Sequence, residues 1–349
     1  MAGASWTQRL RARAERVADR LRLRLSIRHL HGPRDLGQGA DEVTVVALVR
    51  DGAYYLDAFF DHYRRLGVRH FVFIDNGSTD GTLDRIRAEP GTVIVQSKLR
   101  WGRFENDFRR YAAETYCRER WVLYADMDEM FDFPGAAEIG LGGLVRYMGA
   151  RGYTALVAQM LEMFPDRPIG EVADLTYAQA LEAFRFCDLG GIVDVPYTDT
   201  GLIHFAYWMQ DNRVSNPDIR FLFGGIRNKV FGELCCLSKH PLVFVGEGVE
   251  PGVHPHCSAH VSCADFTALI RHYKFANNPQ VRDARTVAER SVRHGEDQKR
   301  LAAYAREGGL TLYSDDAVVF EGFDQLIGAG FLIGSPAYDA FLQEQSDAG

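Results

Sequence analysis

Apolar residues recur along this chain in two rhythms, and the rhythms alternate. Residues 43–49, VTVVALV, are a continuous apolar run, the pattern of a strand covered on both faces. Residues 52–67, GAYYLDAFFDHYRRLG, switch to helical spacing and end at Gly67, a natural helix stop. HFVFID at 70–75 predicts a second strand, the turn-rich NGSTDG occupies 76–81, and a short helix is expected from Thr82. GTVIVQ (91–96), NDFRRYAAETYCRER (106–120) and WVLYA (121–125) predict strand, helix and strand. Alternation of this kind argues for a parallel α/β sheet with right-handed crossovers.

Beyond residue 135 the pattern weakens. It predicts a helix near 140–149, a strand near 153–160, strands at 201–208 and 242–245, and helices at 263–273 and 280–307. The expected organisation is a basic helix and linker over 1–41, one domain over 42–310 and a C-terminal extension over 311–349.

Composition narrows the class. The chain has 349 residues and is 46% hydrophobic, as a globular protein is. No apolar run is long enough to span a bilayer, and the N-terminus lacks the apolar core of a secretory signal. Six cysteines (117, 187, 235, 236, 257 and 263) show no CxxC and no framework spacing, which favours a reduced, cytoplasmic chain. The net charge is −7, unevenly spread. Residues 1–34 hold nine arginines against Glu15 and Asp19, a net +7, which leaves −14 for the rest. So acidic a body excludes general nucleic-acid binding. Residues 5–30 predict an amphipathic helix with Trp6, Leu10, Val17, Leu21 and Leu25 among arginines. Two readings of it stay open: a lead-in packed on the body or in solvent, or peripheral contact with anionic lipid at the inner face of a membrane.

The chemistry concentrates in WVLYADMDEMFDFP (121–134), where a buried-type strand runs into Asp126, Asp128 and Glu129. In an open parallel sheet, ligands bind beyond the carboxyl ends of the strands. Asp75 and Asn76 end one predicted strand, and Asp126 and Asp128 end another. Two residues apart on an extended backbone, Asp126 and Asp128 would point the same way. Such a pair calls for a cation, and Mg²⁺ or Mn²⁺ completes its oxygen shell with substrate phosphates. The alternative is that these aspartates only cap helices and form turns. An EF-hand is excluded, because Phe131 stands where glycine is needed and Ala137 where glutamate is needed. No GxGxxG or GxxxxGK[ST] is present.

Residues 46–82, ending DNGSTDGT, followed by WVLYADMDEMFDFP, resemble the nucleotide-sugar half of GT-A fold glycosyltransferases. The likeness is greatest to a bacterial branch of glycosyltransferase family 2 whose metal motif reads D-x-D-E-F. FGGIRNKVFGE, LSKHPLVF and LIRHYKF are similar to later parts of that branch, so the resemblance runs from about 43 to 277 with gaps. It implies a GT-A type, Rossmann-like α/β fold: a mostly parallel sheet flanked by helices, with a nucleotide-sugar half at 42–135 and an acceptor half at 136–310. It also implies metal-dependent, inverting transfer of a sugar from a nucleoside-diphosphate sugar to a glycan or other hydroxyl acceptor, by analogy a cell-envelope polysaccharide.

Carried onto this chain, the resemblance puts Asp75 and Asn76 at the nucleoside and Asp126 and Asp128 at an Mn²⁺ or Mg²⁺ ion bridging the diphosphate. Asp128 and Glu129 are the candidate catalytic carboxylates, with the base itself left open. Asp51 falls where related chains carry Asn-Glu, but here the sequence reads Arg50-Asp51-Gly52. Met130 replaces the usual Phe. His254 in GVHPHCSAHVSC and His272 in LIRHYKF are candidate further metal ligands, and Lys274 a candidate diphosphate contact. A separate zinc site in the His/Cys run is disfavoured by the lack of a second CxxC-like arm. Two alternatives remain: a nucleotidyltransferase using the same pair and metal, or a non-catalytic domain binding a sugar or partner.

Overall fold

The computed structural model describes residues 17–289, 295–305 and 309–348. Their centre is a ten-stranded sheet. In chain order its strands are β1 (Arg28–His31), β2 (Val43–Val49), β3 (His70–Asp75), β4 (Thr92–Gln96), β5 (Trp121–Tyr124) and β6 (Glu129–Asp132). Then come β7 (Ala155–Glu162), β8 (Arg213–Val214), β9 (Ser238–Phe244) and β10 (Ser262–His272). Across the sheet the order is β1-β4-β3-β2-β5-β9-β7-β10-β8, with β6 paired to β10. Strands β2 to β5 are parallel. Strand β9 runs against both its neighbours, and β7, β10 and β8 are again mutually parallel.

The apolar runs explain why the sheet is interior. All seven residues of β2 are buried. Val43, Val45, Ala47 and Val49 pack with Phe59 and Tyr63 of helix α1 (Leu56–Arg65), while Val46 and Leu48 face the other core layer. That second layer is closed by Phe104, Phe108 and Ala112 of α3 (Trp101–Tyr116). Helix α2 (Thr82–Ala88) lies between β3 and β4. Beyond them lie α4 (Ala136–Ala150), α5 (Ile226–Phe231), α6 (Pro279–Glu289), α7 (Glu296–Tyr304) and α8 (Pro336–Ala348). From β2 the chain steps outward through β3 and β4, then returns to place β5 on the other side of β2. The strand order therefore reverses between β2 and β5, where α/β sheets open a crevice at their carboxyl ends.

Several expectations need correction. Residues 263–273 are not helical but lie in the long strand β10, nearly all of which is buried; a run buried on both faces carries no period that separates strand from helix. The helix expected over 280–307 is divided into α6 and α7. The strand expected at 201–208 is a loop with a short 3₁₀ turn at Ala206–Trp208. Helix α3 starts five residues earlier than its apolar spacing indicated, at Trp101. Of the amphipathic segment 5–30, residues 5–16 lie outside the described residues, 17–26 are helical, and 28–30 belong to β1. In the expected C-terminal extension, Leu326, Phe331, Leu332 and Tyr338 pack into the main core. No helix among the described residues is long and apolar enough to cross a membrane.

The last helices are tied to the sheet by buried charge. Arg300 of α7 reaches Glu233 at 2.9 Å and Asp283 of α6 at 2.7 Å, and also pairs with Asp297. Glu233 in turn receives Arg227 of α5 at 2.6 Å, and Arg227 lies 3.6 Å from Glu162 at the end of β7. Breaking one member of such a network leaves the others charged and buried. Arg300→Met should therefore lower the unfolding free energy by about 3–5 kcal/mol. Urea denaturation checks this, and an unchanged midpoint and slope would contradict it.

Candidate functional site

A cleft of about 370 Å³ opens at the switch point. Its walls come from the loop after β2 (Arg50, Asp51, Gly52), from Asn76 after β3, from Asp126, Met127 and Asp128 after β5, and from α6. Tyr55 and Trp101 add aromatic faces. A second hollow beside Arg50, Asn76 and Trp101 is edged by Lys98 and Arg100.

Asp126 and Asp128 both line the cleft, but not from an extended backbone as their spacing suggested. After Tyr124 the strand ends in a turn, in which the Glu129 amide donates to the Asp126 carbonyl at 3.1 Å. The turn gives the two carboxylates separate partners. Asp126 accepts from Arg109 of α3 at 2.8 Å and from Lys239 of β9 at 3.2 Å. Burial opposes its ionisation, but Lys239 and Arg109 outweigh burial and hold its pKa well below the usual carboxylate range. Asp128 faces His272 at 3.6 Å and Arg282 at 3.9 Å. It too is held well below the usual range, because His272, Arg282 and Lys274 overcome burial.

His272 sits between two acids. Its Nδ1 meets Glu162 at 2.8 Å and its Nε2 faces Asp128. Burial disfavours its charge, but Glu162 and Asp128 raise its pKa to about 9. In this arrangement His272, expected as a metal ligand, lies against Asp128 and steadies its charge. His254 does not join the cleft: its ring stacks on Phe205 at 4.2 Å, and burial lowers its pKa to about 3. Among the described residues no group of three or more His, Cys, Asp or Glu side chains is placed to hold a metal ion. The two aspartates suit a divalent cation only where substrate oxygens supply the rest of its shell.

Glu129, expected at the reacting centre, is buried and does not line the cleft. Its carboxylate pairs with Lys239 and its carbonyl accepts from Tyr63 at 2.9 Å. Burial works against the Lys239 ammonium, yet Glu129 and Asp126 raise its pKa. Asp75, expected at the nucleoside, is not among the residues that line the cleft. It is fully buried and accepts from the Gly77 amide (2.9 Å), the Ser78 amide (2.9 Å) and the Gln96 side chain (2.8 Å). This is an Asx-type turn that shapes the DNGSTDG loop. Asn76 does line the cleft, its amide clamped to the carbonyls of Ser97 and Leu99. Lys274 is not among the residues that line the cleft, and its ammonium makes no hydrogen bond or ion pair among the described residues. Burial, Arg227 and Arg300 lower its pKa.

The departure at Arg50-Asp51-Gly52 has a local cause. Asp51 takes a left-handed φ of +52°, which aspartate tolerates. A Cβ on Gly52 would lie 2.6 Å from Val49. The turn directs the Asp51 carboxylate to the Thr79 amide at 2.7 Å and to Arg285 at 2.7 Å. Sequence reading missed the role of α6. Arg285 and Arg50 both pair with Glu289, at 3.0 and 2.8 Å, and Arg282 donates to the Tyr55 hydroxyl at 2.8 Å. The signal was Arg282, Arg285 and Glu289 sharing one helical face. Glu162 was equally legible, as an acid closing the buried run ALVAQMLE.

Two outcomes test these assignments. The raised pKa of His272 means that its charge stabilises the fold fully below the ordinary histidine value of about 6.5. That contribution fades as pH rises through about 9. The stability gap between wild type and His272→Gln should thus be widest near pH ~6 and narrow toward pH ~10 in thermal melts; a constant gap would reject the charged pair. Asp75→Ala strands three donors and should cost about 1–3 kcal/mol, read from the same melts.

No family model matches the chain, and no curated protein matches it. Among solved structures, 42% of the chain is similar to 42% of the mannosyltransferase PcManGT from Pyrobaculum calidifontis in complex with GDP-Man and Mn²⁺. The identity is 19% and the TM-score 0.27. A second likeness joins 38% of the chain to 60% of the UTP-bound UGPase from Acinetobacter baumannii, at 12% identity and a TM-score of 0.21. The chain therefore spans less than two thirds of either protein.

Proposed function

We propose that the cleft binds a nucleoside-diphosphate sugar and that this chain is a GT-A type glycosyltransferase, passing the sugar to a hydroxyl acceptor with inversion. The observation that supports this best is the sharing of one switch-point cleft by Asp126, Asp128 and three arginines, Arg50, Arg282 and Arg285. Paired acids suit a divalent cation, and arginines suit the phosphates that would complete its shell. Trp101 offers a flat face for a base beside Asn76.

In this reading Asp126 and Asp128 hold Mg²⁺ or Mn²⁺. When bound, that ion would neutralise charge growing on the leaving diphosphate. Arg109 and Lys239 keep Asp126 ionised, and His272 keeps Asp128 ionised. Arg282 and Arg285 present guanidinium groups to the diphosphate from α6. Arg50 and Asp51 hold α6 across the cleft through Glu289 and Arg285, and so limit water at the anomeric carbon. The acceptor hydroxyl attacks that carbon opposite the leaving group. The loop after β2 is short and hydrogen-bonded to Ser78 and Thr79. It forms no glycine-rich phosphate cradle, which a nucleotidyl-transfer reading would place there.

Thermal shift with UDP or GDP, with and without Mn²⁺, tests the proposal. Saturation at roughly 100 times Kd adds about 2.7 kcal/mol of stability, so the melting point should rise clearly. The rise should require Mn²⁺ and vanish in Asp128→Ala. If no nucleoside diphosphate moves the melting point in the presence of Mn²⁺, the assignment fails.

A further inference from the structure

We propose that the helix ending at residue 26 is an interfacial anchor that docks this protein on an anionic lipid bilayer. Residues 17–26 are helical and one side of them is fixed to the body. Leu23 is buried, Asp19 accepts from Arg103 of α3 at 2.8 Å, and Ser26 meets Ser97 at 2.8 Å. Another side carries Val17, Leu21 and Leu25, which are 61%, 57% and 79% exposed. At 3.6 residues per turn, positions four apart advance by only about 40°. The three side chains therefore form one continuous apolar stripe. On the same geometry Arg20 and Arg24 flank the stripe on one side and Arg22 on the other, while Leu23 points toward the body.

A single exposed apolar side chain needs no explanation. Three on one stripe, bordered by arginines, are the arrangement of a helix lying in a lipid interface. Charge complementarity identifies the occupant. Arg20 and Arg24, with Arg110 and Arg118 of the body, line a cavity of about 410 Å³ beside the stripe, against Asp107 and Glu114. Among the described residues Arg24 and Arg118 make no ion pair. A groove of this kind suits lipid phosphates at headgroup level while the stripe enters the acyl boundary. A stable protein partner would need roughly 800 Å² on each side, more than three side chains present. A bilayer needs only shallow apolar insertion together with charge.

The full chain should be co-sedimented with phosphatidylcholine vesicles, pure or carrying about 30% phosphatidylglycerol. The protein should pellet with the anionic vesicles and stay in solution with the neutral ones. Val17→Ser/Leu21→Ser/Leu25→Ser should lower the bound fraction by about tenfold or more, at an unchanged melting temperature. Leu25→Ser alone, at the most exposed position, should lower it measurably even if the triple variant melts early. Arg20→Glu/Arg24→Glu should also release the protein. Wild type failing to bind anionic vesicles, or the serine variants binding as wild type does, overturns the proposal. So does a vesicle-independent dimer that the serine variants abolish, because the stripe would then face a second copy of this chain.

Discussion

Asp126 and Asp128 stand where a buried strand meets a cleft, and they stay ionised there only because cations reach them from elsewhere in the chain. An unpaired carboxylate in such surroundings would take up a proton or force water in. Arg109 comes from α3, Lys239 from β9, His272 from β10 and Arg282 from α6. Lys239 lies 113 residues from its target, and His272 and Arg282 lie further still from theirs. The placement of four elements is thus coupled to the charge state of one short turn.

That coupling runs inward as well. Asp128 leads through His272 to Glu162, then to Arg227, Glu233, Arg300 and Asp283. Each member neutralises the next, so the wall of the cleft and the packing of α7 share one electrostatic structure. On the proposed reading, an incoming diphosphate enters a field that is already balanced. It must take arginines from carboxylates that now hold them, and the cleft would exchange partners rather than fill an unbalanced charge.

How much of this was legible from the residues depended on range. Strands β2 to β5 could be read because each is an apolar run bounded by turn residues, a local signal. Strand β10 was mistaken for a helix because its burial on both faces erases the period. The DNGSTDG letters were read as a ligand contact, but the same residues satisfy an Asx turn. The burial of Asp75 within that turn is a tertiary fact that local spacing does not carry. The pairing of Lys239 with Asp126 was not legible, since pairing between distant segments leaves no trace in local spacing. Glu129 looked equivalent to its neighbours, but in β6 it is buried and does not line the cleft.

The reversed strand β9 has a consequence in time. Among the described residues it is the only link in the sheet between β5 and β7, and it follows β5 by more than a hundred residues. During synthesis, β2 to β5 leave the ribosome well before the strand that covers the open side of β5 and carries Lys239. Until β9 inserts, β5 is an edge with unpaired amides, and Asp126 lacks one of its two cations. Contacts this distant in sequence close slowly. The nascent first half thus passes through a sticky, acid-tipped stage that ends only when the second half completes the sheet.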